Sequence, residues 1–398
     1  MIRFLCAMKV MILHQHFKTP ATGGAIRSYY LAKALVNRGV KAVVVTSSNE
    51  KKYTVADVEG IEVHYLPIAY DNSFGFFHRG KSFARFVLKS ISAAKAMDGV
   101  SVCYAISTPL TTGLAAIYLK QRLRIPFIFE VGDLWPDAPI QLGVIKNYLL
   151  QKSLYALEKK IYHEAKSIVA LSEPIKKSIE GKINGKQISV IPNFSDCDFY
   201  EKENKNPALQ QKFSVGGKFI VSYIGATGMA NGLDYFIECA NASRKANLPV
   251  HFILAGDGAT LGLLKSAAEK LKLTNITFTG LVDRNTVKEI MNITDAAFVC
   301  YKNIPILETG SPNKYFDALA SGKLVITNFG GWIKDEIETN QCGFFVNPKQ
   351  PQDFVNKISV YLADKEKLDQ ARQNARLLAE QKYHREKLGN QFAALFTA

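Results

Sequence analysis

Glu308-Thr-Gly-Ser-Pro-Asn-Lys-Tyr-Phe-Asp317-Ala-Leu-Ala-Ser-Gly322 lies between two apolar runs, Asp295–Tyr301 and Lys323–Thr327. Each run reads as a buried parallel strand, and the segment between them as a polar loop followed by a short amphipathic helix ending at Gly322. Pro312 is expected at the first helical position and Ser311 as the N-cap. A helix that opens at the carboxyl end of a parallel strand presents free N–H groups and the positive end of its dipole to an anion. Lys314, in the first turn, adds a full positive charge beside Gly310, Ser311 and Asn313. Asp317, a turn further in, is placed to accept hydrogen bonds from a sugar diol. Donors for a diphosphate and a carboxylate for a ribose together describe a nucleotide-sugar site. An ordinary capped helix is the alternative that local chemistry leaves open.

Outward from this segment, strand-like runs alternate with helical patterns. Lys9–Leu13, Lys41–Thr46, Val100–Ile106, Pro126–Val131, Ser167–Leu171 and Ile188–Ile191 form one series. Phe219–Ile224, Val250–Leu254, Ile276–Thr279, Ala296–Tyr301 and Leu324–Thr327 form a second. Strands alternating with helices imply parallel sheets covered on both faces. A chain of 398 residues is long enough for two such domains. The polar stretch Phe194–Gly217 between the series reads as the linker. The expected division is residues 1–195 for an N-terminal domain and 196–381 for a C-terminal domain. Helical segments Asp353–Leu362, Lys365–Gln381 and Arg385–Phe396 close the chain.

The stretch around Lys314 resembles the donor-binding segment of retaining glycosyltransferases of family 4, and the resemblance covers nearly the whole chain. That family usually shows two glutamates separated by seven residues and then Ala-Met-Ala-x-Gly. Here the second acid is Asp317, followed by Ala318-Leu319-Ala320-Ser321-Gly322, and the first is Glu308, one residue further away, with Thr309 in the usual position. The run Pro312-Asn313-Lys314-x-Phe316-Asp317 is similar to the branch containing bacterial capsule and lipopolysaccharide amino-sugar transferases. The resemblance implies an α/β GT-B fold, two Rossmann-like parallel-sheet domains facing a cleft, with a last helix, about residues 382–398, returning to the N-terminal domain. It implies front-face attack with retention, and a UDP-sugar as donor.

Several other loops fall where the resemblance implies ligand contact. Gly23 and Gly24 follow strand 1 and match a Gly-Gly loop beside the donor phosphates and acceptor. Adjacent glycines permit close backbone approach. His14 and His16 alternate along the strand end, so they are expected on opposite sides and not as metal ligands. Glu130-Val-Gly-Asp133 ends a buried strand where many family members carry a histidine. Asp133 is the candidate to orient the acceptor hydroxyl or act as its base, alongside Glu308 and Lys314 as candidate catalytic residues. Gly225 and Gly228 follow the first strand of the second series. The family usually has an Arg and a Lys in that loop; this chain has Ala226 and Asn231, which shifts the charge load to Lys314. Gly256 ends the next strand in a loop that is not a dinucleotide fingerprint, because Leu261 stands where a third glycine belongs. In the family, backbone corresponding to Val282 holds the nucleobase, and Arg284 is expected to stack on that base or to lie in solvent. Asp196-Cys-Asp198 spells Asp-x-Asp, but in the linker, so no metal and no cofactor are expected.

The net charge of +15 is uneven. Residues 1–195 hold 26 basic and 13 acidic residues, net +13. Such asymmetry points to an anionic partner for the first half. No nucleic-acid-binding signature accompanies it, so nucleic acid is not expected. Within Asn72–Met97, Phe76, Phe77, Phe83 and Phe86 are interleaved with Arg79, Lys81, Arg85 and Lys89. Lys81, Arg85 and Lys89 share one helical face. Aromatics among cations suit an interfacial helix on an anionic membrane, while a helix that buries its phenylalanines in the core is the other reading. Six cysteines, Cys6, Cys103, Cys197, Cys239, Cys300 and Cys342, are scattered without close pairs, which suits free thiols in a reducing compartment. The apolar N-terminus is broken at Lys9 and reads as a strand, not a signal peptide.

The expectation is therefore a cytoplasmic enzyme, peripheral on the inner face of the cell membrane. It would transfer a HexNAc or 6-deoxy-HexNAc from a UDP-sugar to a lipid-diphosphate-linked saccharide during surface polysaccharide synthesis. A sugar-nucleotide epimerase, or a non-catalytic nucleotide-sugar-binding subunit, are the alternatives.

Overall fold

The computed structural model describes residues 8–24, 26–71, 74–201 and 203–397. Cys6, Asn72 and the side chain of Phe76 lie outside what is described. The chain divides into two compact units. The first takes the described residues up to Pro192, then Thr309–Ser311, then the residues from Glu386 onward; the second takes Asn193–Glu308 and Pro312–Arg385.

Among the described residues the first unit has eight strands: β1 (Lys9–Leu13), β2 (Lys41–Ser48), β3 (Thr54–Val58), β4 (Ile61–Pro67), β5 (Val100–Ile106), β6 (Phe127–Val131), β7 (Ser167–Ala170) and β8 (Ile188–Val190). Their order is β3-β4-β2-β1-β5-β6-β7-β8. All pairings are parallel except β3 with β4. Val10–Leu13 and Phe127–Val131 are buried on both faces, as continuous apolar runs in a covered parallel sheet must be. The helices are α1 (Arg27–Val36), α2 (Phe76–Lys95), α3 (Thr112–Leu123), α4 (Asp137–Gln141), α5 (Tyr148–Glu164) and α6 (Glu173–Glu180). The β3–β4 hairpin has no counterpart in the sequence reading. β3 is mostly exposed, so it lacks an apolar run. Its turn uses Glu59 and Gly60, both at positive φ, in place of the more telling Asn-Gly.

The second unit has, among the described residues, six parallel strands: β9 (Phe219–Ile224), β10 (Val250–Ala255), β11 (Ile276–Gly280), β12 (Ala296–Val299), β13 (Leu324–Thr327) and β14 (Gly343–Phe345), in the order β11-β10-β9-β12-β13-β14. Its helices are α7 (Pro207–Lys212), α8 (Asp234–Lys245), α9 (Leu261–Lys270), α10 (Arg284–Ile293), α11 (Asn313–Ala320), α12 (Trp332–Thr339), α13 (Pro351–Ala363) and α14 (Lys365–Lys382). Phe236, Phe252, Phe298 and Phe354 pack together between the sheet and α8 and α13, edge-on, tilted or, for Phe298 and Phe354, stacked. The last helix, α15 (Arg385–Thr397), seats Phe392 on Tyr104 of β5 at 4.8 Å between ring centroids.

Two local expectations are corrected. Phe194–Gly217 is not a plain linker: Ser195, Asp196, Cys197 and Tyr200 are buried and Ser195 bridges to His384. Helix α11 begins one residue later than expected, at Asn313. Pro312 itself holds the extended N-cap position, and Ser311 does not cap the helix. The missing N–H of proline fits that boundary as well as it fits the first turn.

Candidate functional site

In each sheet the chain leaves a central strand to one side and returns on the other. These reversals lie between β1 and β5 and between β9 and β12. Ligands of open α/β sheets bind beyond the carboxyl ends of the strands at such reversals.

In the second unit the reversal is where Lys314 is found. Its Nζ donates to Tyr223 Oη at 2.9 Å and to Asn231 Oδ1 at 2.9 Å. It lies over the rings of Tyr223 at 4.5 Å and Tyr301 at 4.8 Å. Tyr223 Oη and Asn231 Nδ2 in turn donate to the Ala226 carbonyl, at 2.7 and 2.9 Å, closing a ring of bonds around the loop after β9. Asn231, which appeared in the sequence only as a missing cation, is thus the tether of the cation that remains. Lys314 keeps part of its surface, but loss of solvation lowers its pKa to about 8. All its partners among the described residues are neutral. A desolvated cation held by dipoles alone favours an anion beside it.

Glycines fix the loops around this point. Gly225 and Gly256, at φ of 150° and 141°, touch back to back; a Cβ on Gly256 would fall 1.9 Å from the Gly225 oxygen. A Cβ on Gly258 would fall 3.0 Å from the Thr227 backbone, and Thr260 donates to the Thr227 carbonyl through both its N–H and its hydroxyl. Gly256 is required for the approach of the two loops, and Gly225 borders the Lys314 side chain, which a Cβ there would meet at 3.5 Å. Gly228 leads into a single turn of 3-10 helix, Met229–Asn231.

Asp317 is half-buried. Its carboxyl is pushed up to about 7, first by loss of solvation, against the pull of Arg284 and with a smaller push from Asp196. Arg284 does not lie in solvent. It ion-pairs with Asp196 and lies 3.7 Å over the Phe199 ring. Arg385 takes the other oxygen of Asp196 and also Asp198, at 2.6 Å. Both carboxylates of Asp-x-Asp are therefore spent on arginines. Sequence spacing does not reveal such a pairing, because Arg284 and Asp196 are 88 residues apart. Val282 is half-buried against the small apolar cluster that includes Ile220, Ile253 and Ile290, and Asn313 is exposed at the start of α11.

Glu308 ends in a 3-10 turn, Pro305–Thr309, with its carboxylate beside Gly330 and Gly331 at the head of α12. A Cβ on Gly331 would come within 2.8 Å of the Glu308 backbone oxygen. That glycine pair makes room for the acid and was not read from sequence. Gly310 and Ser311 group with the first unit, where the neighbouring Thr309 carbonyl accepts from Ser172 at 2.5 Å.

In the first unit, Gly23 and Gly24 both take positive φ in the loop between β1 and α1; a Cβ on Gly23 would meet open space and one on Gly24 would touch the Lys18 side chain at 3.7 Å. His14 and His16 do not project to opposite sides. Residues two apart on an extended chain share a side, and the two rings meet edge to face at 6.4 Å. Burial lowers His14 to about 3 and His16 to about 4. Asp133 is exposed, while the protein packed around it raises its carboxyl above the ordinary range by loss of solvation.

Glu130 is a different matter. It is buried and bonded by Arg27 Nε at 3.1 Å to each oxygen, by Arg27 Nη2 at 2.9 Å and by Tyr104 Oη. Arg27 also donates to the Ile191 carbonyl at 2.8 Å. The sequence carried a signal for this cluster: an acid inside the apolar run Phe127–Val131 demands a buried partner.

Helix α2 divides its aromatics. Phe86 is fully buried and Phe83 stacks on Tyr70, whereas Phe77 is 86% exposed and Leu88 68% exposed. Phe77, Lys81, Arg85 and Leu88 share the outward face, with Lys89 at its margin and Arg79 turned half inward. The core reading of this segment holds for Phe86 and Phe83, and the outward face leaves Phe77 and the cations uncovered. No helix among the described residues is long and apolar enough to cross a membrane.

Comparison with known proteins accounts for most of this architecture. Residues 21–199 match the Glycosyltransferase Family 4 profile and residues 204–378 match Glycosyl transferases group 1. A putative teichuronic acid biosynthesis glycosyltransferase of Bacillus subtilis is 25% identical; the alignment covers 68% of this chain and 65% of that protein's own length. Among solved structures, sucrose-phosphate synthase from Thermosynechococcus elongatus superposes with a TM-score of 0.79 at 16% identity over 98% of each chain. Anabaena HepE, in complex with UDP-glucose, gives 0.71 at 19% identity over 98% of this chain and 99% of that one. At such identities the likeness is one of fold, and the fold is GT-B.

Proposed function

We propose that this chain, made of a family 4 and a group 1 glycosyltransferase domain, moves a sugar from a UDP-sugar to a lipid-diphosphate-linked saccharide with retention, in building a surface polysaccharide. The sugar is a HexNAc or a 6-deoxy-HexNAc. The observation that carries this reading is Lys314: a desolvated cation with only neutral partners, at the strand-order reversal of a nucleotide-binding type of sheet. A leaving diphosphate supplies the missing anion, and stabilising it is the main catalytic task. Asp317 accepts from the ribose, Glu308 holds donor-sugar hydroxyls, and Asp133 orients or deprotonates the acceptor hydroxyl. The relative named for teichuronic acid synthesis supports a surface polymer as product, and the fold shared with HepE supports UDP as the nucleotide. The basic outward face of α2 supports a peripheral position on the inner, anionic leaflet. No metal is required.

The direct test follows radiolabel from UDP-sugars with and without a lipid-diphosphate acceptor. Transfer only with acceptor, unchanged by EDTA, is the expected result. Turnover of the donor without acceptor would favour the epimerase, and restoration of lost activity by Mg²⁺ would return Asp196 and Asp198 to consideration as ligands.

A pH profile tests the two site residues together. Asp317 accepts from ribose only as a carboxylate, so kcat/KM rises as it loses its proton near pH 7. Lys314 serves only as an ammonium, so kcat/KM falls as pH passes about 8. A narrow bell is expected. Asp317→Asn should remove the acid limb, and Lys314→Arg should carry the alkaline limb beyond reach. A flat profile across this range counts against both roles.

A further inference from the structure

We infer that the α4–α5 corner of the N-terminal unit is a membrane-insertion tip, distinct from the face of α2. This rests on the lipid-linked acceptor proposed above. Val144, Tyr148 and Leu149 are 60%, 72% and 72% exposed, and Leu150 is also exposed, all within seven residues. Large apolar side chains exposed singly are ordinary, but a contiguous group marks an interaction site.

The fold explains why they stay uncovered. α5 has 17 residues and spans about 25 Å, whereas the five-residue strand β6 spans about 17 Å. The C-terminal part of α5 is anchored on α3, where Ile161 fills the space over Gly113. Lys182 ties the middle of the helix, through Glu158 at 2.7 Å, to Asp137 of α4 at 2.5 Å. The surplus length therefore overhangs at the start of α5. In a parallel sheet a crossover helix starts at the carboxyl edge of the strands, the edge where Asp133 and the Gly23–Gly24 loop also lie. Asn147 caps the first turn through Leu150 N at 2.9 Å, so the tip is preformed.

The occupant is a lipid bilayer with anionic headgroups. Lys146 and Lys152 flank the apolar side chains, and the half of the chain that carries them has an excess of 13 positive charges. Apolar side chains beside cations are the composition of an interfacial insertion. A second copy of this chain fits worse. A two-fold contact at the tip would set Lys146 and Lys152 against their own copies, and four side chains on a helix start fall short of the area a stable dimer buries.

The experiment is vesicle co-sedimentation of the full chain, with phosphatidylcholine alone and with added phosphatidylglycerol. The Tyr148→Ser/Leu149→Ser variant should bind the anionic vesicles about tenfold more weakly than the parent, with an unchanged melting temperature because both side chains are exposed. Lys146→Glu/Lys152→Glu should abolish the salt dependence contributed by the corner. Equal binding of parent and Tyr148→Ser/Leu149→Ser, or a parent that binds neither vesicle, overturns the inference. So does concentration-dependent dimerisation that the same variant abolishes, which would assign the corner to a second copy. Sugar transfer is assayed in the same vesicles. A parent that loses vesicle binding on mutation but transfers no sugar to a lipid acceptor leaves the tip in place and removes the proposed function instead.

Discussion

Replacing Lys314 with methionine or alanine is expected to lower kcat by about two to three orders of magnitude without unfolding the protein. The expectation has two parts. The charge that stabilises the leaving diphosphate is lost, and no other cation bonds to the Tyr223–Ala226–Asn231 ring among the described residues. Stability moves the other way. A lysine whose folded pKa is depressed destabilises the folded state at every pH below that pKa, because the unfolded chain holds the proton more readily. The penalty is fully present below about pH 8 and fades as pH rises towards the ordinary lysine value. Lys314→Met should therefore melt no lower than the parent at neutral pH, and thermal melting beside a radiolabel assay reads both effects. Near-normal turnover would remove Lys314 from the leaving group. A lower melting temperature would show that its bonds to Tyr223 and Asn231 outweigh its desolvation. Stability given up at a site for activity is a common pattern.

The second large effect concerns Arg27. Arg27→Met should destabilise the N-terminal unit by about 3–5 kcal/mol, because it leaves Glu130 buried without its cation. Urea denaturation followed through tertiary CD measures the loss. Adding Glu130→Leu should recover much of it, since removing both charges removes the unpaired one. Tyr104→Phe in the same background would then spare the tyrosine hydroxyl an empty acceptor position. A single variant within about 1 kcal/mol of the parent would mean that water reaches Glu130 and that the cluster is not dry.

The division of the chain into two series of strands was legible because a parallel sheet covered on both faces requires unbroken apolar runs, and runs such as Val10–Leu13, Phe127–Val131 and Phe219–Ile224 stand out from everything around them. The segment carrying Lys314 was legible for the same reason, placed between β12 and β13. What sequence did not show were partnerships made across long intervals. The pairing of Asp196 with Arg284 and Arg385 turns a metal-like motif into a structural one. The tether of Lys314 to Asn231 turns an apparent loss into a support. Glu308 beside Gly330 and Gly331 is of the same kind. Exposed structure was missed for a different reason: β3 carries no apolar periodicity, and the start of α5 is apolar on a surface where pattern rules assign apolar residues to the core.

The contact between Gly225 and Gly256 bears on attempts to retarget the enzyme to another donor. A Cβ on Gly256 would fall 1.9 Å from the Gly225 oxygen, so the loop after β10 cannot be changed at position 256 unless the loop after β9 moves with it. The loops after β9 and β10 have to be exchanged as one cassette, with Thr227 and Thr260 carried along. Grafts from relatives that keep both glycines are the productive starting material.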